Sequence, residues 1–202
     1  LTVRGIELVN ADSWAVTSNG TGAVEFDDVT VPDGSGNIAT TGSAGDAFDL
    51  VIRRSRIGLG DSVICRQAAG KCHIHDSEIL PGVGTDGANV SLKVVRSVIG
   101  PSDGITLNGV VVEGTSTLHV EDSIVHGTLR PLYLLADGST AAPAARVLRT
   151  RFLDNVGPIT GDRPGAVHLD EIEVHGHQSL PAMQTPAAML VVEGPSWFLR
   201  RS

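Results

Sequence analysis

The sequence predicts an all-β chain wound as a single-stranded parallel β-helix, a solenoid of about nine coils forming one domain over residues 1–202. Three observations carry this. An eight-residue apolar pattern recurs along the whole chain, and β-branched residues dominate its centre. Breakers are also dense, with 24 Gly and 10 Pro in 202 residues, too many for a helical bundle. A hydrophobic fraction of 41% excludes disorder. No apolar run approaches the ~20 residues of a membrane span. A net charge of -8 and a pI near 5.2 oppose nucleic-acid binding, which needs a basic surface.

The pattern is apolar, any, apolar, two variable, small or apolar, any, apolar. Its copies are LTVRGIEL from Leu1, VEFDDVTV from Val24, LVIRRSRI from Leu50, CHIHDSEI from Cys72 and LKVVRSVI from Leu92. They continue as LHVEDSIV from Leu118, ARVLRTRF from Ala145, VHLDEIEV from Val167 and LVVEGPSW from Leu190. Successive starts lie 20–27 residues apart. The second apolar position holds Val3, Phe26, Ile52, Ile74, Val94, Val120, Val147, Leu169 and Val192. Seven of these nine are β-branched, which favours strands. A spacing of two points both leading apolar residues inward. The third lies five further on and would change face in a straight strand, so a sharp bend must intervene. Bent strands repeating at this interval stack as coils ~4.8 Å apart.

At the bend stand Ser55, Ser77, Ser97, Ser123 and Thr150 in five consecutive copies, positioned to form a ladder of hydroxyls. Ile6 and Val29 replace them in the first two copies, Ile172 and Pro195 in the last two. Further strands are predicted near 13–16, 62–65, 88–90, 105–107 and 132–135, with longer insertions at 32–45, 109–116 and 138–144.

The unit, with a following turn and Asp-Gly-apolar segment as in LKVVRSVIGPSDGITLNG from Leu92, resembles the right-handed parallel β-helix repeat of pectate-lyase-like proteins. The run TSTLHVEDSIVHG from Thr115 is similar. That family usually places Asn at the bend, where this chain has Ser or Thr. The resemblance implies right-handed winding and specifies architecture better than chemistry.

Stacking turns corresponding residues into columns. The fifth position reads Asp28, Arg54, Asp76, Arg96, Asp122, Arg149 and Glu171, alternating in sign. This is a structural ladder of exposed pairs, each worth ~0–1 kcal/mol. The second position reads His73, Lys93, His119, Arg146 and His168 in five consecutive coils. One cationic residue per ~4.8 Å step could track an acidic polysaccharide; otherwise these are solvated residues sharing a column. His73 and His75 on one strand face suggest zinc, but the neighbouring-coil positions Val51 and Lys93 supply no third ligand. His175 and His177 are no better placed.

Asp12, Asp61, Asp86 and Asp103 are expected to open the other strand of their coils, with Asp46 a further candidate. On consecutive coils, Asp61, Asp86 and Asp103 could share one calcium through oxygen ligands. They could equally make turns and cap backbone donors. The family resemblance implies carboxylates on such a face that bind calcium while an arginine or lysine removes a proton. Lys71 and Lys93 are the only lysines, and no arginine is evident beside these acids. No catalytic residue is therefore assigned, and the cofactor expectation is none or calcium. With Phe26, Phe152 and Trp197 committed to core positions, Trp14 and Tyr133 remain as sugar-stacking platforms.

Cys65 and Cys72 flank a turn-like stretch, as either a loop-closing disulfide suited to export or two buried thiols. Leu1 falls on a core position, so a flanking domain or subunit is expected at that end. The leading functional reading is a β-helix module of an exported, surface or virion-type protein, presenting a rigid charged face to a glycan or neighbouring subunit. A calcium-assisted polysaccharide lyase or related carbohydrate-active enzyme, and a purely structural shaft, are the alternatives.

Overall fold

Each coil of the chain is a strand, a bend, a second short strand and a return strand. The computed structural model describes residues 1–7, 14–18, 21–32, 36–41, 46–58, 63–66, 69–86, 89–101, 104–136, 143–162, 164–176, 190–193 and 197–200. Among these there is no helix, and strands pair in parallel between successive coils. The leading strands are Thr2–Glu7, Gly22–Val31, Phe48–Arg53, Gly70–His75, Val90–Val95, Thr117–Glu121, Ala144–Leu148, Val167–Asp170 and Trp197–Arg200. Short post-bend strands follow at Arg56–Ile57, Glu78–Ile79, Val98–Ile99, Ile124–His126, Arg151–Leu153 and Glu173–His175. Gly22–Val31 runs through the bend unbroken and so joins both sets into one 15-stranded sheet. The return strands Trp14–Ser18, Gly36–Thr41, Val63–Arg66, Val83–Thr85, Thr106–Glu113, Thr128–Leu135, Ile159–Asp162 and Leu190–Glu193 form a separate 8-stranded sheet.

The apolar template explains the core. Residues of the second apolar position, Val3, Phe26, Ile52, Ile74, Val94, Val120, Val147 and Leu169, are register partners in one inward column. From Phe26 to Leu169 all are buried. Val31, Ile57, Ile79, Ile99, Val125 and Phe152, at the third apolar position beyond the bend, are buried with them. The return sheet closes the interior with Ile38, Val63, Val83, Val110, Leu132 and Ile159.

Three expectations are corrected. Among the described residues, about six turns are complete with three separate strands, those starting at Phe48, Gly70, Val90, Thr117, Ala144 and Val167, where nine coils were expected. Leu190–Glu193 is a return strand beside Ile159–Asp162, not a leading strand. Trp197–Arg200 pairs with Val167–Asp170 instead. Both segments are short apolar runs, and pattern alone does not distinguish their faces. The stretches 32–45 and 109–116 are not simply insertions, since they contain Gly36–Thr41 and the end of Thr106–Glu113. Leu1 and Ile6 are exposed where Thr2–Glu7 lies at the sheet's edge beside Gly22–Val31.

The bend has a definite backbone basis. Gly5, Asp28, Arg54, Asp76, Arg96, Asp122, Arg149 and Glu171 occupy one column, all at φ between 44° and 60°. This left-handed conformation is costly for side-chain-bearing residues, on the order of 1–3 kcal/mol each, so the surroundings must enforce it. Hydroxyls supply part of that enforcement. Ser55, Ser77 and Ser97 donate to the carbonyls of Arg53, His75 and Val95 two residues back. The same oxygens accept the backbone N–H of Val29, Ser55 and Ser77 on the preceding coil. Ser123 accepts from Ser97 N–H in turn. Each hydroxyl thus bridges two coils where the chain is turning out of its ladder.

Charges flank this corner. Arg96 Nε and Nη2 donate to Asp76 at 2.6 and 2.8 Å, and Arg149 makes the same fork on Asp122 at 2.6 and 3.1 Å while also reaching Glu121. Arg54 departs from the expected alternation. It reaches Asp27, only 2% exposed, whose other oxygen lies 2.9 Å from Arg4 Nε. At one further point the stacking demands glycine: a Cβ on Gly100, at φ +98°, would lie 1.9 Å from the carbonyl oxygen of His126 on the next coil.

Candidate functional site

Because the first and third positions of a leading strand point inward, the second and fourth face solvent. His73, Lys93, His119, Arg146 and His168 are successive Cα register partners, so the structure brings the whole predicted column together. Val51 precedes it and Phe198 follows. The next outward column reads Arg53, His75, Val95, Glu121, Leu148 and Asp170.

Positive charge is concentrated around His73. Lys71 and His75 stand two residues to either side. The His73 and His75 rings meet edge-on with centroids 5.9 Å apart. Burial, then the charges of His75, Lys93 and Lys71, hold His73 below the usual imidazole pKa, against a smaller opposing pull from Asp49. Burial, then Arg53 and Lys93, lower His75 likewise, with Asp76 opposing. Farther along, the column is partly neutralised: His119 Nε2 lies 2.9 Å from Glu121, whose carboxyl is held low by His119 and then Arg149. Arg146 and His168 are exposed.

Of the four aspartates expected to open strands, the described residues include Asp86. Asp12, Asp61 and Asp103 lie outside the described residues. Asp86 follows Val83–Thr85 and so closes a return strand, where opening one was expected. Its N–H donates to the Cys65 carbonyl, and its carboxylate lies 3.2 Å from Arg66. An arginine therefore does stand beside Asp86, a neighbour the spacing had not suggested. Glu113 follows in the same outward row. Burial, then Asp86, push its carboxyl above the ordinary value, and Arg66 opposes. Together with Asn108, Val111 and Gly84 these residues line a dent of about 140 Å³ on the return face. Asn108 Oδ1 is buried there without a hydrogen-bond partner. Among the described residues, no group of three His, Cys, Asp or Glu side chains is placed to hold a metal ion. His73 has Val51 and Lys93 beside it, as expected, and neither is a zinc ligand.

Tyr133 faces outward on the return sheet, and Arg130 already lies over its ring, 5.3 Å from the centroid. Trp14 opens Trp14–Ser18 on that sheet, and its side chain is outside the described residues. Lys71, Arg53 and His75 were not singled out as members of the basic face. Their positions two residues from the column were the available signal, since a strand returns to the same face every second residue. Arg66, Asn108 and Glu113 carried no such signal, because the return strands vary in length and share no template.

Cys65 and Cys72 form a disulfide, their Cα atoms 6.4 Å apart. It connects the return strand Val63–Arg66 to the next leading strand Gly70–His75 inside the core. Among the described residues, no helix is long and apolar enough to cross a membrane. No protein-family profile, curated protein or solved structure matches the chain.

Proposed function

We propose that this chain is a β-helix module of an exported, surface or virion-type protein whose leading face binds an acidic glycan. The observation that carries the reading is the column His73, Lys93, His119, Arg146 and His168, in register across five consecutive coils. A step of ~4.8 Å between strands is close to the rise of a sugar unit, so successive anionic groups of an extended polymer would meet successive cationic side chains. The sheet holds these side chains on a fixed backbone, which lowers the entropy lost on binding. A chain of net charge -8 that gathers cations on one face would also orient an anionic polymer toward that face. The disulfide supports an oxidising compartment. Membership of the pectate-lyase-like superfamily, with right-handed coils and Ser or Thr at the bend in place of Asn, is part of the proposal.

The test is binding of polygalacturonate by calorimetry at low and moderate salt. Binding that weakens with salt, and falls at least about tenfold in Lys93→Glu/Arg146→Glu, supports the reading. Unchanged affinity in that variant refutes it. The same mixtures, supplied with calcium and followed for the ultraviolet absorbance of unsaturated product, examine the lyase alternative. Product formation lost in Asp86→Ala would move the function from the basic face to the return-face acids.

A further inference from the structure

We infer that His73, His75 and Lys93 form an oxyanion subsite on the leading face that fills as the pH falls, making polymer capture acid-gated. This rests on the glycan-binding reading above and names its anchor and its regulation.

Charged groups surround the two imidazoles from three adjacent strands. On their own strand, Lys71 precedes His73, and Asp76 follows His75 at the bend. The preceding coil contributes Asp49, Val51 and Arg53, and the following coil Ser91, Lys93, Val95 and Arg96. Most of these cations are already matched. Lys71 lies 3.7 Å from Asp49, Arg53 lies 3.3 Å from Glu25, and Arg96 forks onto Asp76. Lys93 has no carboxylate within ion-pair distance among the described residues. With both histidines neutral, the patch therefore presents one unmatched positive charge, at Lys93. With both protonated it presents three, within one strand spacing and one ring contact of each other.

Burial is the largest cause that disfavours protonation, and the charge repulsions that follow it are relieved by an anion. The rings repel each other once charged, Lys93 and Lys71 repel His73, and Arg53 and Lys93 repel His75. A sulfate or carboxylate group seated between the two rings and Lys93 Nζ would screen these repulsions and accept N–H donors from all three. Binding and protonation thus promote one another, and affinity must rise as pH falls through the range where the imidazoles titrate. His119 and His168 are differently placed. His119 is bonded to Glu121, and His168 stands four coils from His73.

Dextran sulfate is the suitable probe, because its sulfate esters remain charged across the range and any pH dependence belongs to the protein. We expect its affinity to rise at least about tenfold between pH 7.5 and 5 at constant ionic strength. In His73→Gln/His75→Gln that rise should shrink to a small remainder, while His119→Gln/His168→Gln keeps most of it. The ring protons of His73 and His75, followed by NMR in the unaltered protein, should titrate at higher pH when the probe is present. An equal pH response in wild type and His73→Gln/His75→Gln, or ring titrations unmoved by the probe, would overturn acid gating while leaving polymer binding intact. Failure to bind at any pH would overturn both readings.

Discussion

Ser97 shows how one side chain can set the course of the backbone. Its hydroxyl donates to the Val95 carbonyl at 2.8 Å and accepts from Ser77 N–H at 3.2 Å, while its own N–H goes to Ser123 Oγ. All of this is buried beside Arg96, held at φ 47°. Replacing Ser97 with Ala leaves the buried Ser77 N–H on the preceding coil without a partner, while the Val95 carbonyl keeps only its bond from Asp76 N–H. The expected loss is ~1–3 kcal/mol. Ser97→Thr should lose much less, because Thr150 in the same column makes the same bond to Leu148 O at 2.8 Å. Urea unfolding of both variants reads this directly: a lowered midpoint with unchanged slope is expected for Ser97→Ala. A loss below ~0.5 kcal/mol would mean the hydroxyl column merely accompanies the bend. The hydroxyls were visible in the sequence, whereas the left-handed backbone beside them was not. That conformation is ordinarily signalled by Gly, Asn or Asp, and here Arg54, Arg96, Arg149 and Glu171 adopt it as well.

At the scale of the strand, legibility follows from how many constraints each element carries. Leading strands were readable because both faces are constrained, with apolar residues at alternate positions inside and a fixed bend beyond. The cationic column followed from that register, and the structure preserves it from His73 to His168. Return strands vary from three residues, at Val83–Thr85, to eight, at Thr106–Glu113 and Thr128–Leu135. Without a shared length or bend there is no template to repeat, so Gly36–Thr41 hid inside an apparent insertion and Asp86 was set at the wrong end of its strand. For the same reason the apolar pattern of Leu190–Glu193 does not separate its place in the return sheet from one in the leading sheet. The disulfide ties these two kinds of strand together at one corner. Cys65 lies on the return strand and Cys72 seven residues on, in the first inward position of the next leading strand. Closing so short a loop restricts the unfolded chain by about 2.5 kcal/mol in the chain-entropy estimate. Reduction, or Cys65→Ala/Cys72→Ala, should therefore lower stability by about that amount or somewhat more, since both sulfurs fill core space. Alkylation of unfolded, unreduced protein should label neither cysteine. Labelling of both would show two buried thiols instead.

Across the whole molecule, charges on separate faces combine into one dependence of stability on pH. His73 and His75 are held low by burial and neighbouring cations, and His126 by burial against the pull of Glu78 and Asp154. A histidine whose folded pKa is depressed binds its proton more readily in the unfolded chain. Its contribution to stability is therefore present above its unfolded pKa near 6.5 and declines as pH falls below it. Asp76, Glu121 and Asp122 are held low by hydrogen bonds to Arg96, His119 and Arg149. Their contribution is present above their unfolded values of 3.8 to 4.5 and is lost at lower pH. Glu113 runs the other way: with its folded pKa raised, it favours the folded state progressively as pH falls toward its unfolded value of 4.5. Three histidines and three carboxylates outnumber that single opposing group. The melting temperature should be level above about pH 7.5, decline through pH 6, and decline again below pH 4. His73→Gln/His75→Gln should flatten most of the first decline and leave the second unchanged. Saturating dextran sulfate should oppose the first decline in the unaltered protein, because a ligand that favours the protonated rings in the folded state adds stability where they would otherwise subtract it. A first decline of equal size in the variant would place its origin outside the leading face.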